Sequence, residues 1–196
     1  VDSQGLISKN RKSPLAEHKK IFVRANNGQQ PGPNLNEIIA YIKPTILIGL
    51  SGKKEIFTPA VLGLMAKYNP QPIIFALSNP ETNSECSLSA AMQHTNQQVI
   101  FASGTAFPDY SIPPSNKIYP SNQANNMYIF PGLELGILAT KLKTINDLVV
   151  YKAAKALAAS LNASEKKAGY LYPDLSRLPA ISRQIAATIV NLKTKS

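Results

Sequence analysis

KPTILIGLSGKKEIFTPAVLGLMAKYNPQPIIFALSNPETNSEC, residues 43–86, contains two apolar runs, 45–50 and 72–77, separated by a segment long enough for a helix. Each run ends in small or polar residues, Gly49-Leu50-Ser51-Gly52 in the first and Ser78-Asn79-Pro80 in the second. Unbroken apolar runs of this length suit strands covered on both faces, as in a parallel sheet with crossover helices. Thr58 followed by Pro59 predicts the start of the connecting helix, and Val61, Leu62, Leu64, Met65 and Tyr68 are its expected core residues. In such sheets ligands sit beyond the carboxyl ends of the strands, which directs attention to Ser51-Gly52 and Ser78-Asn79. Ser51 and Gly52 are expected to offer free backbone amides and little bulk, so that a flat ring can approach the main chain.

Toward the N-terminus, residues 8–30 carry Lys9, Arg11, Lys12, Lys19, Lys20 and Arg24 among polar residues and read as a loop, closed by Gly28, Pro31, Gly32 and Pro33. Asn34 is the expected N-cap of a short helix with Leu35, Ile38, Ile39 and Ile42 on its apolar face, ended by Pro44. Toward the C-terminus, a helix is predicted to begin near Asn83 or Ser84, with Glu85 and Cys86 in its first turn, where the positive helix end would make the thiol mildly acidic. Residues 99–102 form the next strand, ended by Ser103-Gly104, and residues 105–121, rich in Pro, Ser, Tyr and Asn, read as a surface loop. Helices follow over 133–142, over 147–161 with Val150, Ala154, Leu157 and Leu161 on one stripe, and over 178–192 with Ile181, Ile185, Ile189 and Leu192 on one face. These three helices are expected to cover one side of the sheet. Asn162-Ala163-Ser164 reads as a loop that caps the following turn.

A chain of 196 residues with 44% hydrophobic content can bury one good core, at most one domain plus an appendage, and one domain is expected. The formal net charge of +10 raises nucleic acid, acidic membrane or anionic small molecules as partners, and a solvated basic surface as the plain alternative. The lysines are scattered, which argues against an electrostatic tail. The single cysteine, Cys86, excludes an internal disulfide and fits a reducing compartment. With no leader-like start and no long apolar run, neither export nor a membrane span is expected, and the cytoplasm or an organelle is the expected location. His18 and His94 stand far apart without partners at ligand spacing, so no metal site is expected within the chain.

Ala76-Leu77-Ser78-Asn79-Pro80 with Glu85-Cys86 after it, KPTILIG before it and IFASG at 100–104 resemble the malic enzymes, which oxidise and decarboxylate malate with a nicotinamide cofactor. Gln123-Ala124-Asn125-Asn126-Met127-Tyr128-Ile129-Phe130-Pro131-Gly132 resembles the same family's signature almost residue for residue, and the resemblance runs from Val1 to about Leu192. It implies an α/β Rossmann-like parallel sheet with flanking helices, its first βα unit and glycine-rich turn missing from before Val1. The expected organisation is a distal part of a cofactor domain over 1–130 and C-terminal helices over 131–196 packed on it.

The same resemblance implies roles for residues. Asp2, at the tip of a strand, would accept hydrogen bonds from the adenosine ribose. Ser3 and Lys19 would meet a 2′-phosphate, with Lys20 as the neighbour to compare, and the cofactor is NAD or NADP. Ser51 and Gly52 would border the nicotinamide, although Lys53-Lys54-Glu55-Ile56 stands where the family usually has a second glycine or small residue before Phe57-Thr58. Asn79 and Asn125 would contact malate, and Asn126 the nicotinamide side of the substrate site. Leu171-Tyr172-Pro173 with Arg177 resembles a family turn, with Asp174 at the place of its second proline. The base, the acid and the ligands of a divalent ion (Mg or Mn) would belong to sequence outside this chain, which alone is expected to be inactive. The intact protein is expected to be a homo-oligomer. Two readings from other classes are a basic nucleic-acid-binding module using residues 9–24 and a non-catalytic interaction domain derived from the family.

Overall fold

The two apolar runs become adjacent parallel strands in a computed structural model, β1 (Ile46–Gly49) and β2 (Ile73–Ala76), with Ile46 paired to Ile73 and Gly49 to Ala76. The structure describes residues 1–9, 11, 14–25, 31–114 and 117–193; Lys12 and Gly28 of the basic loop lie outside them. A third strand, β3 (Ile100–Ser103), completes a parallel sheet of order β1-β2-β3, and helices flank it as expected for an α/β Rossmann-like domain. The chain divides into two units, Val1–Phe101 and Ala102–Ser196.

In the first unit, α1 (Leu35–Ile42) is capped by the Asn34 side chain, which accepts from the Asn36 N–H, and buries Ile38 and Ile39. Helix α2 (Pro59–Tyr68) starts as the sequence predicts: the Thr58 hydroxyl accepts from the Val61 N–H, Pro59 opens the first turn, and Val61, Leu62 and Met65 are buried. At its far end the buried Asn69 amide donates to Pro44 O at 2.9 Å and to Met65 O at 3.0 Å, tying the helix to the entry of β1. The expected burial of both sheet faces is not met. Gly49, Ile74 and Ala76 lie on a buried face, whereas Ile46 and Ile48, alternating onto the other, are 50% and 54% exposed. On β1 that second face meets no covering element among the described residues, whereas β3, equally an outer strand, is buried over most of its length.

The predicted helix at Asn83 or Ser84 starts later. Residues Glu81–Asn83 form a single 3-10 turn, residues 84–87 are not helical, with Ser84 and Ser87 extended, and α3 (Leu88–His94) begins after Ser87, whose hydroxyl accepts from the Ala90 N–H. Glu85 is the reason: its side chain turns inward to the strand ends, which a helical first turn would not allow. The basic segment read as a loop also contains a 3-10 helix, Glu17–Phe22.

The second unit begins with a hairpin where a loop was expected. Strands β4 (Tyr110–Ile112) and β5 (Lys117–Tyr119) pair antiparallel, with the Tyr110 and Tyr119 rings 6.3 Å apart and the Lys117 ammonium 4.6 Å from the Tyr119 ring. Three residues per strand are too few for alternation to stand out among prolines and serines. Four helices follow: α4 (Phe130–Thr140), α5 (Asp147–Ala159), α6 (Ala163–Ala168) and α7 (Leu178–Lys193). Helix α7 presents Ile181, Ile185 and Ile189 to a core completed by Tyr128, Val149, Ala153, Ala156 and Leu157.

Of the stripe expected on α5, Leu157 is buried as expected, but Val150 and Ala154 are exposed and Val149 and Ala153 face the core in their place. Alanines on both faces make the two stripes nearly equal in apolar weight, and packing chooses the narrower one. A Cβ at Gly132 would lie 2.7 Å from the Ile185 Cβ, and one at Gly136 would lie 2.8 Å from the Ile189 Cβ, so these glycines let α4 press its backbone on α7. Asn162 caps α6 as predicted, in a reciprocal box with Glu165. Among the described residues no helix is long and apolar enough to cross a membrane.

Candidate functional site

Three groups of residues carry the chemistry expected from the sequence. The first lies at the N-terminal end. A tight Asp2-to-Gly5 turn with mutual backbone hydrogen bonds presents the Asp2 carboxylate to two cations. Arg11 grips it with both terminal nitrogens, Nη2 to Oδ1 at 2.6 Å and Nη1 to Oδ2 at 3.1 Å, and Lys19 Nζ meets Oδ2 at 2.6 Å. The Gln4 N–H adds a further bond to Oδ1 at 3.0 Å. Hydrogen bonds first from Arg11 and then from Lys19 hold this carboxyl far below the usual carboxylate range. With two bonds on each oxygen, its acceptor capacity is filled. Two cations on one carboxylate leave one positive charge in excess at this point. Ser3 is exposed beside the turn, and Lys20 turns away to pair with Glu17 at 2.6 Å. Arg11 is the member that sequence reasoning did not select, because nothing in its spacing separates it from the other scattered cations.

The second group lies at the ends of β1 and β2. The amides expected to be free are in use: the Ser51 N–H donates to Glu85 Oε1 at 2.9 Å, and the Gly52 N–H donates to the Ser78 hydroxyl at 2.9 Å. The Ser51 and Ser78 hydroxyls also donate to Oε1, at 3.1 and 2.5 Å, and the Ser78 N–H donates to Oε2 at 3.2 Å. Glu85 is fully buried. Burial opposes its charge, but hydrogen bonds from Ser78 and Ser51 more than offset that, so the carboxyl titrates below its ordinary value.

A buried carboxylate of this kind also corrects the expectation for Cys86. Burial first, and the neighbouring Glu85 charge second, push its thiol up to about 12, the opposite of an activated thiolate. Outside this knot Gly52 sits at φ +64 with open space where a side chain would be, and Asn79 is exposed. The Asn79 side-chain amide has no hydrogen bond among the described residues; its backbone oxygen accepts from Asn83 Nδ2 at 3.3 Å.

The third group belongs to the second unit. Ser103 and residues 122–124 exchange backbone hydrogen bonds, Ser103 N–H to Asn122 O at 2.9 Å and Ala124 N–H to Ser103 O at 2.8 Å. Asn122 anchors this segment by donating to Gly169 O and accepting from the Leu171 N–H. Asn125 then caps the 3-10 turn Asn126–Tyr128, its Oδ1 accepting from the Met127 N–H at 3.0 Å. Its Nδ2 has no hydrogen bond among the described residues and remains available as a donor. Asn126 is exposed on the same turn. Tyr128 is stacked on Tyr172 at 5.2 Å and donates to Pro173 O, which explains the Leu171-Tyr172-Pro173 turn as a support for this segment.

The structure therefore joins Asp2 to Lys19, Ser51 and Gly52 to Ser78, and Asn125 to Asn126. No hydrogen bond among the described residues joins the Asp2 group to Ser51 or Gly52. Glu85, like Arg11, is a residue that sequence reasoning did not select. The signal for it was a serine two residues beyond each of two adjacent strands, Ser51 and Ser78, whose hydroxyls and amides call for one shared acceptor, and a glycine at 49 that leaves room for it.

Comparison with known proteins follows the same lines. Residues 1–194 match the family model described as malic enzyme, NAD binding domain. The chain is 40% identical over 190 residues, 97% of its length, to an NADP-dependent malic enzyme of Rattus norvegicus, covering 32% of that protein. It is likewise 40% identical over 190 residues to an NADP-dependent malic enzyme of Dictyostelium discoideum, covering 34% of it, and 40% identical over 189 residues to NADP-dependent malic enzyme 1 of Arabidopsis thaliana, covering 32%. The chain thus spans about a third of the length of the curated relatives it matches.

Proposed function

The chain belongs to the malic enzyme family, matched along its NAD-binding domain, and from that membership we propose that it is the cofactor-binding part of an NADP-dependent malic enzyme. The reaction is malate plus NADP+ to pyruvate, carbon dioxide and NADPH. The bound nicotinamide cofactor supplies the acceptor for the hydride that leaves C2 of malate.

This chain's own residues bind and orient. The observation that carries the reading is the Asp2 carboxylate saturated by Arg11 and Lys19, whose surplus positive charge suits a ribose 2′-phosphate. Lys19 is the side chain we assign to that phosphate, with Ser3 beside it. Gly52 admits the flat nicotinamide because no side chain occupies the space above it. The unpartnered Asn79 amide both donates and accepts, which matches a carboxylate and a hydroxyl on one 2-hydroxy acid. In the second unit we assign the substrate contact to Asn125, whose Nδ2 is a donor while its oxygen stays engaged as a cap, with Asn126 as its neighbour.

The described residues hold no cluster of three or more His, Cys, Asp or Glu side chains fit for a metal ion. We place the ligands of a divalent ion, the general base and the general acid outside these residues. The test is malate-dependent reduction of NADP+ and NAD+ by the complete gene product. NADP+ is expected to have the higher kcat/KM, and Lys19→Ala to lower the NADP+ to NAD+ ratio by about tenfold or more. Absence of pyruvate formation with either cofactor would refute the reading, and a ratio untouched by Lys19→Ala would refute the NADP assignment. The 196 residues alone are expected to turn over no malate.

A further inference from the structure

We propose that Glu85 is a positioning residue of the malate site: its buried carboxylate clamps the loop after β1 to the loop after β2, and so fixes where Gly52 and Asn79 stand. The inference rests on the functional reading above and extends it to a residue that touches neither substrate nor cofactor.

The geometry is specific. One carboxylate receives four donors from two loops, the N–H and hydroxyl of Ser51 and the N–H and hydroxyl of Ser78. The Ser78 oxygen, oriented by this donation, in turn accepts from the Gly52 N–H. The Glu85 main chain is held as well, since its carbonyl accepts from the Phe57 N–H at 3.0 Å, and the Glu55 N–H donates to Ser84 O at 3.0 Å. The carboxylate lies directly against β1: a Cβ at Gly49 would stand 2.5 Å from the Glu85 Cδ and 2.8 Å from its Oε1. Gly49 is therefore the space that the clamp occupies. A fully buried charge with no cation on it among the described residues is costly unless its hydrogen bonds are met, and here the bonds from Ser51 and Ser78 come from segments that border the expected substrate and nicotinamide.

Three substitutions attack the clamp from different sides. Glu85→Gln keeps the shape but turns one acceptor oxygen into a donor that faces a donor. Ser78→Ala removes one donor and the acceptor of Gly52. Gly49→Ala pushes the carboxylate off the strand.

In the complete gene product, each is expected to lower kcat/KM for malate at least tenfold. Amide hydrogen exchange at Ser51, Gly52 and Ser78 should accelerate by at least the same factor. Binding of adenosine 2′,5′-bisphosphate, a probe of the Asp2–Lys19 end alone, should stay within twofold of wild type. Should Glu85→Gln fail to fold, Ser78→Ala carries the test. Malate kinetics unchanged in the folded variants, with an active wild type, would overturn the positioning role while leaving the functional reading intact. Parallel loss of bisphosphate binding would also overturn it, by making Glu85 a general stability residue. A wild type that does not oxidise malate would sink both together.

Discussion

The ends of β1 and β2 in the first unit and the α4–α7 pair in the second meet the same demand, close approach of two backbone segments, with opposite chemistry. At Gly49 the absent Cβ makes room for a carboxylate, and at Gly132 and Gly136 it makes room for Ile185 and Ile189. The polar solution is directional, so it fixes the loops in one arrangement and leaves Asn79 outside, free for a ligand. It also responds to pH. The apolar solution is insensitive to pH and supports the segment that carries Asn125 without shaping it directly.

The comparison breaks most easily at the apolar side. Ile185→Ala is expected to destabilise the second unit by about 2–5 kcal/mol, measured by urea unfolding with helix exchange rates as the local readout. The loss should be the same near pH 5 and near pH 8. Gly136→Ala should cost about 1–3 kcal/mol through overpacking against Ile189, and pairing it with Ile189→Val should recover part of that loss. Full stability in Gly136→Ala would mean that α4 and α7 are farther apart than described.

The polar side is tested by acid. The folded-state pKa of Glu85 lies below its ordinary value of 4.5, so its stabilisation is complete above that pH and is lost as the pH falls through the folded value. Exchange at Ser51 and Ser78 in wild type should accelerate below pH 4.5, beyond the intrinsic pH dependence of exchange, and Glu85→Gln should remove that component. An acid response identical in both would assign it to another carboxyl, Asp2 being the first candidate because its pKa is also lowered. The smallest effect is at a surface cap: Asn162→Ala should cost about 1 kcal/mol and fray α6 alone, with no change in malate kinetics.

Much of this was legible in the residues. Two apolar runs flanking a Thr-Pro helix start led to the parallel pair and α2, and the Asn34 and Asn162 caps followed from side chains that can accept a backbone N–H. Isoleucines spaced four apart on α7 marked its buried face because one strong apolar residue per turn leaves little ambiguity. Alanine-rich α5 lacked that contrast, and its stripe was read one residue off at Val150 and Ala154. The non-helical segment at 84–87 was hidden because an acid near a serine-rich start also describes a helix N-terminus; only the strand ends, distant in sequence, show that Glu85 points inward. Arg11 was hidden for the same reason, since an ion pair nine residues away from Asp2 leaves no periodic trace.

The most direct test of the whole account is steady-state malate oxidation by the complete gene product carrying Asn79→Ala. Loss of the Asn79 side-chain amide, which makes no hydrogen bond among the described residues, is expected to lower kcat/KM for malate by about tenfold or more while the KM for NADP+ stays near that of wild type. Malate kinetics equal to wild type in that variant would contradict the assignment of the β2 end to the substrate.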